Sequence, residues 1–335
     1  MAESTHRVEI VPVNLEPHPN ADTLSIVRVF DGYTCVVRTA DWEGVPFAAY
    51  IPPDSVVPDT PDFAFLDGHR RIKARKLRGV MSMGLLVPAP SWSILGDDVA
   101  ADLGITHYVP TLRQGGGANM RSVSVPPPPG CEHIPKYDLE TFYKYGRRAF
   151  EPGEHVIVTE KIHGSNARYV VVGNEYRVGS RTRWLKHYGD DPAKRDIWWQ
   201  ALERCQALCS FLEDNPGLVV FGEVYGCVQD LRYGHADGRV SFAAFDVMSR
   251  DGKYLDWPHA ESLLGEWEVP MAPKLFHGPF DFDAVLAMAD GPSLIPGAGH
   301  IREGVVVRPV QERFDHRFGR TALKVVSNQY LVRAK

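Results

Sequence analysis

The chain reads as an α+β protein: a small N-terminal β-barrel, then a domain of antiparallel sheets with flanking helices. Three observations carry that reading. Residues 1 to about 108 break into short runs of β-branched and aromatic residues separated by turn signals. Composition then shifts abruptly between Thr111 and Pro135. Beyond that stretch, apolar strands alternate with one segment of clear helical spacing.

The N-terminal runs are Val8–Val13, Leu24–Val29, Tyr33–Val37 and Phe47–Ile51. Strands this closely spaced suggest a small barrel. The break that follows, Gln114-Gly115-Gly116-Gly117-Ala118-Asn119 and then Val125-Pro126-Pro127-Pro128-Pro129-Gly130, cannot bury a core. Its glycines are flexible and its prolines stiff, as in a linker. The expected division is a first domain over 1–110, a linker over 111–135 and a second domain over 136–335.

In the second domain Glu154–Lys161 and Ala167–Val172 read as strands, and Gly173-Asn174 turns the chain into Tyr176–Arg181. Asp191-Pro192 is expected to start a single helix in which Ile197, Ala201, Cys205, Leu208, Cys209 and Leu212 share one face, ended by Asn215-Pro216-Gly217. Cys205 and Cys209 are then core residues rather than metal ligands. Four more strands follow, over Leu218–Gly226, Val240–Met248, His300–Arg308 and Ala322–Ser327.

Composition excludes some classes. At 335 residues, with 44% hydrophobic and 24% charged, the chain is of ordinary globular type and long enough for two domains. It has no apolar run near the roughly 20 residues that cross a bilayer, and Met1-Ala2-Glu3-Ser4 lacks the marks of a signal peptide. A cytoplasmic protein without membrane contact is expected. The five cysteines lack paired CxxC spacing and read as reduced thiols. A net charge of -5 argues against coating nucleic acid non-specifically. The run His69-Arg70-Arg71-Ile72-Lys73-Ala74-Arg75-Lys76-Leu77-Arg78 is locally basic, which suits either a blunted sheet edge or a contact with phosphates.

The chemistry concentrates around Lys161, in Val158-Thr159-Glu160-Lys161-Ile162-His163-Gly164-Ser165-Asn166. A lysine amine becomes a nucleophile only where its surroundings lower its pKa, and the end of a strand can place it so. Gly164 would let the backbone approach a nucleotide, and Ser165 and Asn166 offer hydrogen bonds. A surface lysine before a hairpin turn is the bland alternative. Further along, Gly222-Glu223 ends one strand, Phe242 and Phe245 lie in the next, Glu303-Gly304 precedes a valine run, and Lys324 sits among Ala322, Leu323, Val325 and Val326. Burying that last lysine without an anion to meet it would be costly.

The order of these segments resembles the covalent nucleotidyltransferase superfamily: ATP-dependent DNA ligases, RNA ligases and mRNA capping enzymes. Glu160-Lys161-Ile162-His163-Gly164 is similar to nick-sealing and editing RNA ligases, whereas DNA ligases and capping enzymes typically carry aspartate where this chain has His163. Pro17–Ile26 and Arg75–Leu86 resemble the opening and closing strands of tRNA-binding OB modules. Only 11 residues follow Lys324, so the OB module stands N-terminal, as in a bacterial group of RNA ligases. The resemblance thus implies an OB-fold nucleic-acid-binding domain, then a nucleotidyltransferase (ATP-grasp-like) adenylyltransferase domain.

It also implies an ATP-dependent RNA ligase that joins 3′-hydroxyl and 5′-phosphate ends through AMP carried on Lys161. The expected cofactors are ATP and Mg2+ or Mn2+, and the expected partner is a nicked RNA or RNA–DNA duplex, met by a monomer. Lys161, Glu303 and Lys324 are the implied catalytic residues, with Glu303 as the metal ligand. Glu160, Ile162, Asn166, Arg181, Glu223, Phe245, Val305 and Lys324 are implied to bind the nucleotide, Phe245 by stacking on adenine and the run from Val305 to Val307 by closing the other face. Lys324 is expected to depress the pKa of Lys161 by like-charge repulsion. An inactive RNA-binding relative and a capping-type guanylyltransferase are the alternatives.

Overall fold

The computed structural model describes residues 6–108, 122–189, 191, 195–236 and 238–333. They fall into two compact units, drawn from Met1–Thr111, Glu140–Arg148 and Asn328–Lys335 in one and from Leu112–Leu139 and Ala149–Ser327 in the other. In the first, β1 (Glu9–Pro12), β4 (Phe47–Ile51) and β7 (Leu85–Pro88) form an antiparallel sheet with β4 in the middle. The strands β2 (Leu24–Val29) and β3 (Tyr33–Arg38) pair with each other, and β5 (Arg75–Leu77) pairs with β6 (Val80–Ser82).

Successive strand residues point to opposite faces, and here both faces of the β4 sheet are covered. Val11, Ala48, Tyr50 and Leu86 pack with Val27, Val29 and Cys35 on one side. Ile10, Ala49, Ile51 and Val87 pack with Val57, Phe63 and Ile72 on the other. Double burial is why Ala48-Ala49-Tyr50-Ile51 reads as an unbroken apolar run. Unit membership departs from chain order because helix α1 (Phe142–Ala149) supplies partners to the first unit: Lys144 pairs with Glu9, and Tyr143 stacks on Tyr33 at 5.1 Å. The glycine-rich half of the expected linker, 114–119, lies outside the described residues.

Among its described residues the second unit holds two large antiparallel sheets and a short pair of strands, Phe314–Asp315 with Gly319–Arg320. One runs β11 (Trp184–Leu185), β10 (Glu175–Ser180), β9 (Ser165–Val172), β12 (Val219–Gly226), β13 (Val240–Met248), with Ser124–Val125 added beside β11. In the other, β16 (Leu323–Val326), β15 (Gly304–Pro309), β8 (His155–Lys161) and β14 (Lys274–Pro279) lie side by side. Among the described residues four helices accompany them: α2 (Ile197–Arg204), α3 (Gln206–Asp214), α4 (Trp257–Gly265) and α5 (Phe282–Ala289). No helix among the described residues is long and apolar enough to cross a membrane.

The single helix expected from Asp191 to Leu212 is two. Asp196, not Asp191, caps α2, its carboxylate accepting from the Trp198 and Trp199 amides at 3.0 Å. Cys205, with φ −102° and ψ 78°, leaves the helical region and separates α2 from α3. The kink lets Trp198, Trp199 and Leu202 share one core with Leu208, Phe211 and Leu212. Cys205 and Cys209 pack against the same cluster. Pro192 lies outside the described residues.

An ion cluster ties the two sheets of this unit together. Asp246 on β13 is 2% exposed and faces Arg308 on β15 and Arg320, each at 2.8 Å, together with the Tyr137 hydroxyl. Burial opposes its ionisation, but the two guanidinium groups hold the carboxyl below its ordinary value. Removing one member of a buried ion group leaves its partners uncompensated, at about 3–5 kcal/mol. Asp246→Asn preserves shape and deletes the charge. A loss of about 3 kcal/mol in urea unfolding is the expected outcome, and a change under about 1 kcal/mol would refute this role.

Candidate functional site

Strand register builds the site. Lys161, the last residue of β8, lies opposite Gly304 on β15, and Asn166 on β9 lies opposite Glu223 on β12. The turn between β8 and β9 brings these pairs together because glycines let backbones close in. A Cβ on Gly164 would overlap the Val224 carbonyl, and one on Gly304 would overlap the Val325 carbonyl. Gly164 therefore makes room for the neighbouring strand. Gly222 does the same for the Phe242 ring.

Within this frame Lys161 Nζ sits 2.7 Å from Glu303 Oε1, with the two side chains 26% and 13% exposed. Glu303 Oε2 is 3.5 Å from His163 Nδ1, and His163 Nε2 is 2.7 Å from Asp230 Oδ1. Burial alone would push the Lys161 amine down, but Glu303 and Glu223 outweigh it and the amine is held above its ordinary value. Burial likewise pushes Glu303 up, yet Lys161 and His163 bring it down to about 2. Glu223 goes the other way: burial and the nearby Glu303 charge push it up to about 8, against the pull of Lys161. The expectation that Lys161 is depressed is thus reversed, because carboxylates outweigh cations around it. The cation that most opposes its charge is Arg181.

The other expected residues separate into those that meet Lys161 and those that do not. Directly opposed strand residues share a face, and Lys324 opposes Val306, which opposes Thr159, one alternation from Lys161. Val305 opposes Glu160 and Val325, so Val306, not Val305, shares the Lys161 face. The Glu160 carboxylate accepts from Ser293 Oγ at 2.6 Å and the Leu294 amide at 2.7 Å, which commits it to a neighbouring loop. Ile162 is buried with Tyr225, Tyr233, Ala243 and Ile295. Phe245 is half-buried, its ring 4.7 Å from that of Tyr137. Arg181 and Lys324 both approach Asp138, at 4.0 and 3.6 Å. Asp138, Asp230 and Tyr233 were not legible as site residues, since nothing local marks them.

The donor set suits a nucleotide and one metal ion. Asn166 Oδ1 is buried without a hydrogen-bond partner beside Glu223, an acceptor that a ribose hydroxyl would satisfy. No group of three His, Cys, Asp or Glu among the described residues could hold a metal ion by itself. Mg2+-like ions are held by one or two carboxylates together with water and substrate phosphates, which Glu303 alone can support.

Comparison with known proteins adds the family. A model described as RNA ligase matches residues 154–326, and one described as an OB-fold domain matches residues 7–89. The RNA ligase of Naegleria gruberi with PPi aligns over 98% of this chain and 98% of its own, at 25% identity and a TM-score of 0.79. A point variant of that ligase with AMP and Mn aligns at 24% identity over 97% and 98%, with a TM-score of 0.80. Another, with ATP and Mn, gives 24%, the same coverage and 0.78. No curated protein sequence matches. The fold is an OB-fold domain followed by a sheet-rich domain with flanking helices, as the sequence predicts.

The Glu223 carboxyl yields a pH test in the ligand-free protein. Folded, it keeps its proton up to about 8, whereas in the unfolded chain it loses it near 4.5. Between those values the folded state binds more protons, so this group's contribution to stability falls as pH rises. The melting temperature should drop from pH 5.5 to pH 8 more steeply in the wild type than in Glu223→Gln. Parallel pH profiles would contradict the raised carboxyl.

Proposed function

The chain belongs to the RNA ligase family, and from that premise we propose that it is an ATP-dependent RNA ligase working through AMP bound covalently to Lys161. The observation that carries this reading is the half-buried Lys161–Glu303 pair, flanked by Glu223 and Arg181. In the first step Lys161 Nζ attacks the α-phosphorus of ATP in line. The N–P bond forms, the bond to the bridging oxygen breaks, and pyrophosphate leaves. The amine is held as ammonium beforehand, and Glu303 Oε1 at 2.7 Å is the acceptor within reach of its proton. AMP then passes from Lys161 to a 5′-phosphate end, and a 3′-hydroxyl attacks that end, displacing AMP and closing the strand.

The remaining roles follow from placement. Glu223 and Asn166 receive the ribose hydroxyls, with the unpaired Asn166 Oδ1 as support. Arg181 and Lys324 leave Asp138 for phosphate oxygens. Phe245 and Val306 are the apolar groups offered to adenine, Val306 being the member of the Val305 to Val307 run that shares the Lys161 face. Glu303 is the candidate ligand for Mg2+ or Mn2+, which when bound neutralises charge on the phosphates. The N-terminal unit supplies the exposed strand β5, with Arg75 and Lys76, as a grip on a nicked RNA or RNA–DNA duplex.

Two experiments test this. With α-labelled ATP and Mn2+, label should remain on the wild-type protein through a denaturing gel and vanish in Lys161→Ala. Labelling with GTP in preference to ATP would instead indicate capping-type transfer. Deleting residues 1–110 should leave label transfer to the protein intact and cut sealing of nicked duplexes by at least about tenfold, the scale of losing several phosphate contacts. Equal sealing by the truncated chain would refute that division of labour.

A further inference from the structure

The segment after β12, Cys227–Tyr233, rests on the His163-Gly164 turn through three separate contacts. Asp230 Oδ1 lies 2.7 Å from His163 Nε2. The Tyr233 hydroxyl accepts from the His163 backbone N–H at 2.6 Å, and the Gln229 side-chain amide donates to the Gly164 carbonyl. The segment is also seated independently of His163. Tyr233 is 1% exposed within the Ile162, Tyr225, Ala243 and Ile295 cluster, and its ring meets His300 edge-on at 4.5 Å. Its φ of 50° is one that a non-glycine residue keeps only where the surroundings enforce it. Asp230 is therefore presented to the imidazole by an anchored stretch of chain.

We propose that Asp230 is a positioning residue of the ligase site, acting through His163 on Glu303 and thereby on the placement of Lys161. This rests on the reading of Lys161 as the nucleophile. Glu303 uses Oε1 for Lys161, and the group that faces Oε2 is His163 Nδ1 at 3.5 Å. A histidine ring can flip about its outer torsion, so the ring nitrogen that faces Glu303 depends on what holds the other. Asp230 holds Nε2, which keeps Nδ1 toward the carboxylate and limits its rotation away from Lys161. Sequence separation hides the pairing, since His163 and Asp230 stand 67 residues apart.

The test compares wild type, Asp230→Asn, Asp230→Glu, His163→Ala and the His163→Ala/Asp230→Asn double variant, by the rate of label transfer from α-labelled ATP with Mn2+. Losing an outer partner of this kind is expected to slow transfer at saturating ATP about tenfold. The ATP KM should stay within about twofold, Asp230→Glu should regain most of the rate, and in the His163→Ala background Asp230→Asn should add less than about twofold. Transfer at the wild-type rate in Asp230→Asn, or an equal loss with and without His163, would overturn the proposal. Independently of activity, the 15N signal of the Lys161 side chain should shift in Asp230→Asn, and an unshifted signal would overturn it too. A wild-type chain that takes no label would sink the nucleophile reading, while the Lys161 signal still decides the role of Asp230.

Discussion

The register between β8 and β15 is the constraint on which the site depends. Lys161 opposes Gly304, which places the lysine amine beside the carboxylate of the preceding residue, Glu303. A slip of one residue would send every side chain of β8 to the other face, putting Glu160 where Lys161 stands. Several features oppose such a slip. Gly304 fits against the Val325 carbonyl only because it has no Cβ. Glu160 is held by Ser293 and Leu294, and Arg308 further along β15 is bound to Asp246 on the other sheet. The glycines and the ion cluster thus act on the same geometry from two ends of the strand pair.

That geometry creates a resting state. Two carboxylates and a lysine are brought partly out of water together, and they divide the burden unequally: Glu303 takes the charge, with its carboxyl down to about 2, while Glu223 keeps a proton up to about 8. The amine is consequently an ammonium, stabilised by the carboxylate that takes its proton in the proposed mechanism. Negative charge beside the amine holds its proton, and Arg181, the nearby cation, opposes that charge. Asp138 fits the same pattern, lying near the two cations, Arg181 and Lys324, that face the incoming phosphates in the proposed mechanism.

Much of the fold was legible in the sequence because its strands are long, apolar and marked by turns. The strand expected over Glu154–Lys161 is found at His155–Lys161, and the one over Val240–Met248 is found as expected. The helix over 191–212 was misjudged because periodicity ignores a local kink: the apolar positions continue across Cys205, while the backbone turns there to serve the core. The run from Val305 to Val307 could not be divided between faces for a related reason. In Val305-Val306-Val307 composition cannot distinguish the faces, and only the pairing of Val306 with Lys324 does.

By itself the sequence singled out the residues to which the proposed mechanism assigns the chemistry: the lysine, the three glycine-bearing segments and their carboxylates are local patterns whose order along the chain is readable. Tertiary structure decided their charge states and their partners. Lys161 is held as ammonium because Glu303 and Glu223, distant in the chain, lie beside it. Asp230 reaches His163 across 67 residues, which local sequence has no means of encoding visibly. Protonation and orientation depend on distances of a few ångströms between strands, and those distances exist only once the sheets have paired.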